Sequence, residues 1–139
     1  MLKEKDRDKV TKVFKDIDKD VGIVMFTQEM ECTFCEATRT LLEEVSDLSE
    51  KVSLKVRDFV ADSEEAKKYG IDKVPATILL GDKDYGIRFY GPPAGYEFTT
   101  LIEDIRDVGR RDPGLGKEVM NELEKIDQPV HMQVLISPT

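Results

Sequence analysis

Two cysteines, Cys32 and Cys35, stand between an apolar run rich in β-branched residues, VGIVMFT at 21–27, and a stretch whose apolar residues recur at helical spacing. They are the only cysteines in the chain. The short run has the length of a buried strand. In CEATRTLLEEVSDL, residues Cys35, Thr38, Leu41, Leu42, Val45 and Leu48 share one face, which predicts a helix from about Thr33 to Leu48. A strand running straight into a helix, with a sulfur pair at the junction, restricts the fold to α/β arrangements that open at that junction.

A C-x-x-C pair at a helix start has one sulfur at the open end and the other a turn inside. Unpaired N–H groups of the first turn and the positive end of the helix dipole both favour a thiolate there. Cys32 is therefore the candidate nucleophile. Cys35, on the apolar face, is the candidate resolving thiol, placed to attack a mixed disulfide formed at Cys32. Such a pair exchanges two electrons without a metal or organic cofactor. Two other readings stay open: buried, inert thiols, and half of a zinc site. Zinc needs four ligands, and the one histidine, His131, has no ligand-spaced partner.

Around this junction the chain alternates. Leu2, Val10, Val13, Phe14 and Ile17 predict an amphipathic helix within 2–18, and VSLKVRDFV predicts a strand from Val52. SEEAKKYG predicts a short helix capped by Ser63 and stopped by Gly70. PATILL and YGIRFYG read as a hairpin closed by Gly81 to Asp84, and YEFTTLIEDIRDVG as a helix ended by Gly109. The order implies a small mixed sheet with helices on both faces.

After Asp112, Pro113, Gly114 and Gly116, a linker, the pattern starts again. Val119, Met120, Leu123 and Ile126 predict a helix, and Val130 to Ile136 a strand. Ile17, Asp18, Val21, Ile23, Met25 and Phe26 match Ile126, Asp127, Val130, Met132, Val134 and Leu135 without a gap. We therefore expect one unit over residues 1–110, and over 111–139 a linker with the first helix and strand of a second, truncated unit.

A net charge of −8, with no basic cluster interleaved with aromatics, argues against nucleic acid. The charged N-terminus lacks a secretory pattern and no apolar run is long enough to span a membrane, so the expected location is the cytoplasm. There, close cysteines point to catalysis or metal binding. A charged fraction of 36% leans toward a thermophile, whose intracellular proteins do carry disulfides.

CTFC after a strand, and YGIDKVPATILL about forty residues later, resemble the thioredoxin and glutaredoxin families. With LGDKDYGIRFYGPPAGYEFTTLIEDI, the N-terminal helix and the restarted pattern, the chain is similar to the glutaredoxin-like protein disulfide oxidoreductases of thermophiles, which join two thioredoxin-fold units. The resemblance implies a thioredoxin-like three-layer α/β/α fold with a central mixed sheet. It also implies thiol-disulfide exchange with protein substrates, and a reducing partner such as a thioredoxin reductase-like enzyme. Pro75 would be cis, with the backbone of Val74 pairing with substrate beside Cys32, Thr33 and Phe34. Gly91, Pro92, Pro93 and Gly95 would line the groove by that resemblance, and read by themselves are equally what a tight turn into a helix contains.

Several positions depart from that pattern. Glu31 stands where thioredoxin has Trp, and Thr33-Phe34 separates the cysteines. The charges of Glu29, Glu31 and Glu36 oppose ionisation of Cys32. Thioredoxin's buried Asp, a proton acceptor, is matched by Phe26, leaving Asp58 as the candidate acceptor acting through water or as a plain solvated strand-end residue. The Gly-Gly pair and Asp typical of glutaredoxins, and with them a glutathione site, are not evident. The acidic surround of Cys32 motivates one alternative, a substrate-binding unit with a weakly active or structural pair and catalysis in a missing second unit; the zinc reading of the pair gives another, a zinc-clamped interaction domain.

Overall fold

The computed structural model describes residues 2–137. Along the chain run α1 (Glu4–Phe14), β1 (Val21–Thr27), α2 (Cys35–Ser46), β2 (Val52–Asp58), α3 (Ser63–Lys68), β3 (Ala76–Leu80), β4 (Asp84–Tyr90), α4 (Tyr96–Arg110) and α5 (Lys117–Leu123). The strands form one sheet in the order β2-β1-β3-β4. β1 is parallel to β2 and antiparallel to β3, and β3 is antiparallel to β4. A parallel pair needs a crossover, which α2 supplies, whereas the antiparallel β3–β4 pair needs only the turn at 81–83.

Successive strand residues face opposite sides of the sheet. Ile23, Met25 and Leu79 join a core with Phe14 of α1, Leu42 of α2 and Ile105 of α4. Val24, Phe26 and Ile78 join a smaller one closed by Ala66 of α3 and by Ile71. The predicted three layers are present, with α1 as the added N-terminal helix. β1 is covered on both faces, so it reads as an unbroken apolar run and not as an alternation. Each large side chain fully withdrawn from water here contributes about 1.5–3 kcal/mol.

Four local expectations need correction. Gly109 does not end α4, which runs to Arg110. A Cβ at Gly109 would lie 2.6 Å from Ile17 Cγ2 and 3.1 Å from Val21 Cγ2, so glycine is there to let the helix approach the turn before β1. The left-handed residue that stops the helix is Arg111, at φ 54°, whose guanidinium bonds back to Val108 C=O and reaches Asp20 C=O at 3.0 Å and Asp82 at 3.1 Å. Ser63 is not the cap of α3: Asp62 takes the N-cap position, and its carboxylate accepts the Asp58 N–H at 2.9 Å. Gly70 does end that helix, at φ 69°. The predicted strand after residue 51 stops at Asp58: Phe59 N–H makes a last bond to Thr27 C=O, and Val60 and Ala61 then turn back, their N–H groups on the Asp58 carboxylate.

The fourth correction concerns the tail. α5 forms where its spacing predicts but has no buried residue. Val130 to Ile136 is not a strand. A strand exists only through bonds to a neighbour, and no strand of the sheet lies alongside this segment.

Candidate active site

The sulfurs of Cys32 and Cys35 are bonded to each other, with Cα atoms 5.5 Å apart. Helix α2 begins at Cys35 and not at Thr33; Phe34, at φ −109° and ψ 2°, is the N-cap, so Cys32 lies in the turn that enters the helix. Glu31 makes this turn by adopting φ 58°. A left-handed conformation costs a residue with a Cβ about 1–2 kcal/mol. The Gln28 side-chain amide braces the loop by donating to Met30 C=O at 2.6 Å. With no Gly or Asn there, the turn left no mark in the residue pattern.

The consequence is an asymmetric pair: Cys32 is partly exposed, Cys35 is 4% exposed. Thr38 is fully buried one turn further on, and its hydroxyl donates to Phe34 C=O at 2.8 Å, which closes the first turn without an orphaned polar group. No side chain caps the N-terminus of α2, so its first N–H groups and dipole end face the turn that holds Cys32.

The Val74–Pro75 peptide bond is cis. Ala76, the next residue, is in register with Phe26 on one side and Tyr90 on the other, so Pro75 enters the sheet at the end where β1 leaves it toward Cys32. Pro75 is buried and Val74 half-buried. Among the described residues neither the N–H nor the C=O of Val74 has a backbone partner. Gly91 N–H donates to Pro75 C=O at 2.9 Å, tying the loop 91–95 to the same end. Gly95, at φ 63° and ψ −127°, takes a conformation open in practice only to glycine, and α4 follows. Thr33 and Phe34 are exposed at the turn, with Met30 beside them in the chain and Tyr96 at the head of α4, both solvent-facing apolar side chains that the residue pattern did not single out.

The position matched to a buried carboxylate holds no base, and the candidate acceptor Asp58 has one carboxylate oxygen engaged by the backbone. Phe26 is fully buried and meets the Tyr69 ring edge-on at 6.4 Å, so apolar packing fills the place matched to a buried carboxylate. Asp58 stands at the same end of the sheet as the disulfide, in register with Thr27. Its Oδ1 accepts the N–H groups of Val60 and Ala61 at 2.9 and 2.8 Å, which makes it the brace of the β2–α3 turn.

Charge at this end is one-sided. Glu29, Glu31 and Glu36 are exposed and, among the described residues, have no ion-pair partner. Burial raises the Glu97 carboxyl above the ordinary range. The cation next to Val74, Lys73, is held by Asp72 at 2.5 Å and lies 4.3 Å over the Tyr90 ring; its pKa is raised, first by the hydrogen bond to Asp72.

Depressions of about 370 Å³, beside the β3–β4 turn, and about 620 Å³, along α2 and β2, are not lined by either cysteine. Cys32 carries what exposure the disulfide has, beside exposed Thr33 and Phe34. Among the described residues no His, Cys, Asp and Glu cluster could hold a metal, and His131 lies exposed in the tail. No described helix is long and apolar enough to cross a membrane.

No protein-family model matches the chain. It is 27% identical over 99 residues to a NADH dehydrogenase of Bacillus subtilis, aligning 71% of this chain with 17% of that protein. It is 28% identical over 102 residues to the AhpF-type component of the alkyl hydroperoxide reductase of Staphylococcus aureus, aligning 73% of this chain with 18% of that protein. The chain thus spans less than a fifth of the curated relatives it matches. Among solved structures it superposes on the alkylhydroperoxide reductase component AhpF of Enterococcus faecalis with a TM-score of 0.80 at 23% identity, covering 88% of this chain and 59% of that one. On a protein disulfide oxidoreductase of Aeropyrum pernix the TM-score is 0.79 at 23% identity, covering 90% and 55%. The fold is thioredoxin-like.

Proposed function

We propose that this chain is a thiol-disulfide oxidoreductase unit acting on protein substrates through Cys32 and Cys35. The observation that carries the reading is the half-exposed Cys32 bonded to a buried Cys35 at the entry to α2, on the sheet end that also presents Pro75. In the reducing direction the Cys32 thiolate attacks one sulfur of a substrate disulfide and expels the other as a thiolate, which takes up a proton. Cys35, having lost its proton, attacks Cys32 within the mixed disulfide, releasing the second substrate thiol and reforming the Cys32–Cys35 bond. Two electrons and two protons pass to the substrate. The oxidising direction is the reverse.

No cofactor enters this scheme, since the pair carries the electrons itself. The free Val74 N–H and C=O suit an extended substrate segment, whose backbone they would pair as an added strand, with Thr33 and Phe34 contacting it from the other side. Dithiol is regenerated by a reductase-type partner, a reading supported by the redox names of the relatives. Residues 111–139 fit a linker and the opening of a second unit, since Ile126, Val130, Met132, Val134 and Leu135 repeat the spacing of Ile17, Val21, Ile23, Met25 and Phe26. We further propose a cytoplasmic location and a thermophile source, the second because 36% of the residues are charged.

The test is reduction of insulin disulfides by the chain supplied with a dithiol. Activity is expected to fall by at least about a thousandfold in Cys32→Ser, and undiminished activity there would overturn the proposal. Glu29, Glu31 and Glu36 favour one second reading, a substrate-binding unit whose pair turns over slowly. A measured Cys32 pKa close to that of a free thiol, about 8.5, with turnover far below that of a two-unit protein, would select it.

A further inference from the structure

Three carboxylates, Glu29, Glu31 and Glu36, lie within four residues of Cys32 along the chain, on the loop before it and the first turn of α2. Some acidic side chains elsewhere in the protein are matched by a cation, among them Glu43 with Arg39, Glu65 with Arg57, Asp84 with Arg88 and Asp82 with Arg111. These three have no such partner among the described residues. The adjacent cation across the site, Lys73, is already committed to Asp72. Solvent-facing Met30 and Phe34 are interleaved with the charges, so the surface around the partly exposed sulfur is apolar with an anionic rim. The chain as a whole carries −8, so the distant field has the same sign.

We infer that the site selects disulfides flanked by lysine or arginine and rejects anionic ones, with the substrate bringing the positive charge that the site lacks. This rests on the thiol-disulfide reading above and adds its substrate class. Exposed opposite charges contribute little to the strength of a formed complex. Acting together they govern encounter, where a one-signed rim alters association rates by ten- to a thousandfold and salt removes the effect over a Debye length of about 10 Å at 0.1 M. A cation arriving beside Cys32 also offsets the charges that oppose its thiolate, so the favoured substrate helps to ionise the attacking group. A small anionic disulfide such as that of glutathione meets repulsion on both counts.

The experiment uses the full chain, reduced and then freed of reductant, mixed with disulfide-bonded peptides identical except for flanking Lys, Gln or Glu. In each turnover one peptide disulfide becomes two thiols and Cys32–Cys35 becomes a disulfide, so released peptide thiol measures the rate. At about 20 mM salt the second-order rate constant is expected to fall in the order Lys, Gln, Glu, about tenfold end to end, and to converge within about twofold at 0.5 M. The variant E29Q/E31Q/E36Q is expected to compress the order in the same way at low salt. Equal rates or the reverse order at low salt would overturn the inference while leaving the exchange reading intact. Full preference retained in the triple variant would overturn its assignment to these residues. Thiol release from none of the peptides would remove the exchange reading, and this inference with it.

Discussion

Residues 17–26 and 126–135 carry matching apolar residues at five positions, with Gln133 where the first has Val24, yet the first segment is the centre of the protein and the second lies in water. Met25 is 0% exposed and its counterpart Val134 82%; Phe26 is 0% exposed and Leu135 87%. The first has β2 and β3 on its edges, with helices over both faces. The second has α5 before it and no strand beside it. A hydrophobic pattern states what a segment would bury if neighbours existed; neighbours decide whether it becomes a strand.

The sharpest way to break this comparison is to truncate matched residues. Phe26→Ala removes a buried ring between α3 and the sheet and is expected to cost about 3–5 kcal/mol in urea unfolding, while Leu135→Ala stays within about 0.5 kcal/mol. A comparable loss at Leu135 would mean that the tail is packed in solution. Glycine gives the next largest contrast. Gly109→Ala gains about 1 kcal/mol of helix propensity but drives a Cβ into Ile17 and Val21, both buried, for a net loss of about 1–2 kcal/mol. Gly116→Ala meets nothing within 4 Å, and its unfolding midpoint is expected to stay put.

A third, smaller effect depends on pH. Burial, with the nearby charges of Asp107 and Glu103, raises the Asp104 carboxyl to about 6. A carboxyl raised on folding binds its proton more tightly in the native state, so its contribution to stability is present below about pH 4 and is lost as pH rises toward 6 and beyond. Asp104→Asn is therefore expected to raise stability by about 1 kcal/mol at pH 7, after allowance for solvent screening of a half-exposed group, and by nothing near pH 4. Urea midpoints at the two pH values check the Asp104 effect, and Asp127→Asn in the exposed tail is expected to leave the midpoint unchanged at pH 7. Smallest of all is removal of the chain from Lys117 onward, which is expected to shift the midpoint by less than about 0.5 kcal/mol because α5 buries nothing.

Period and spacing were enough to locate β1, α2, the β3–β4 hairpin and the layers, because each of these elements packs locally against the next. The cysteine pair was equally legible, since three-residue spacing at a helix entry brings the sulfurs together whatever surrounds them. What the residues could not convey depends on contacts remote in the chain. Gly109 serves Ile17, far away in sequence, while a terminal glycine of the same kind usually serves its own helix. Glu31 and Arg111 hold left-handed conformations that their side chains do not advertise, the second through Asp20 and Asp82. Asp58 reads as a free carboxylate until the turn that it braces is seen.

The bond from Gly91 to Pro75 joins main-chain atoms alone. Exchanging Pro92 or Ala94 for another residue leaves both of its atoms in place, since Gly91 follows directly on Tyr90, the partner of Ala76 in the sheet. The stretch that leads from β4 to α4 is thus fastened at its first residue by an anchor that no exchange of side chains can remove, and an engineer may vary those side chains while the anchor holds.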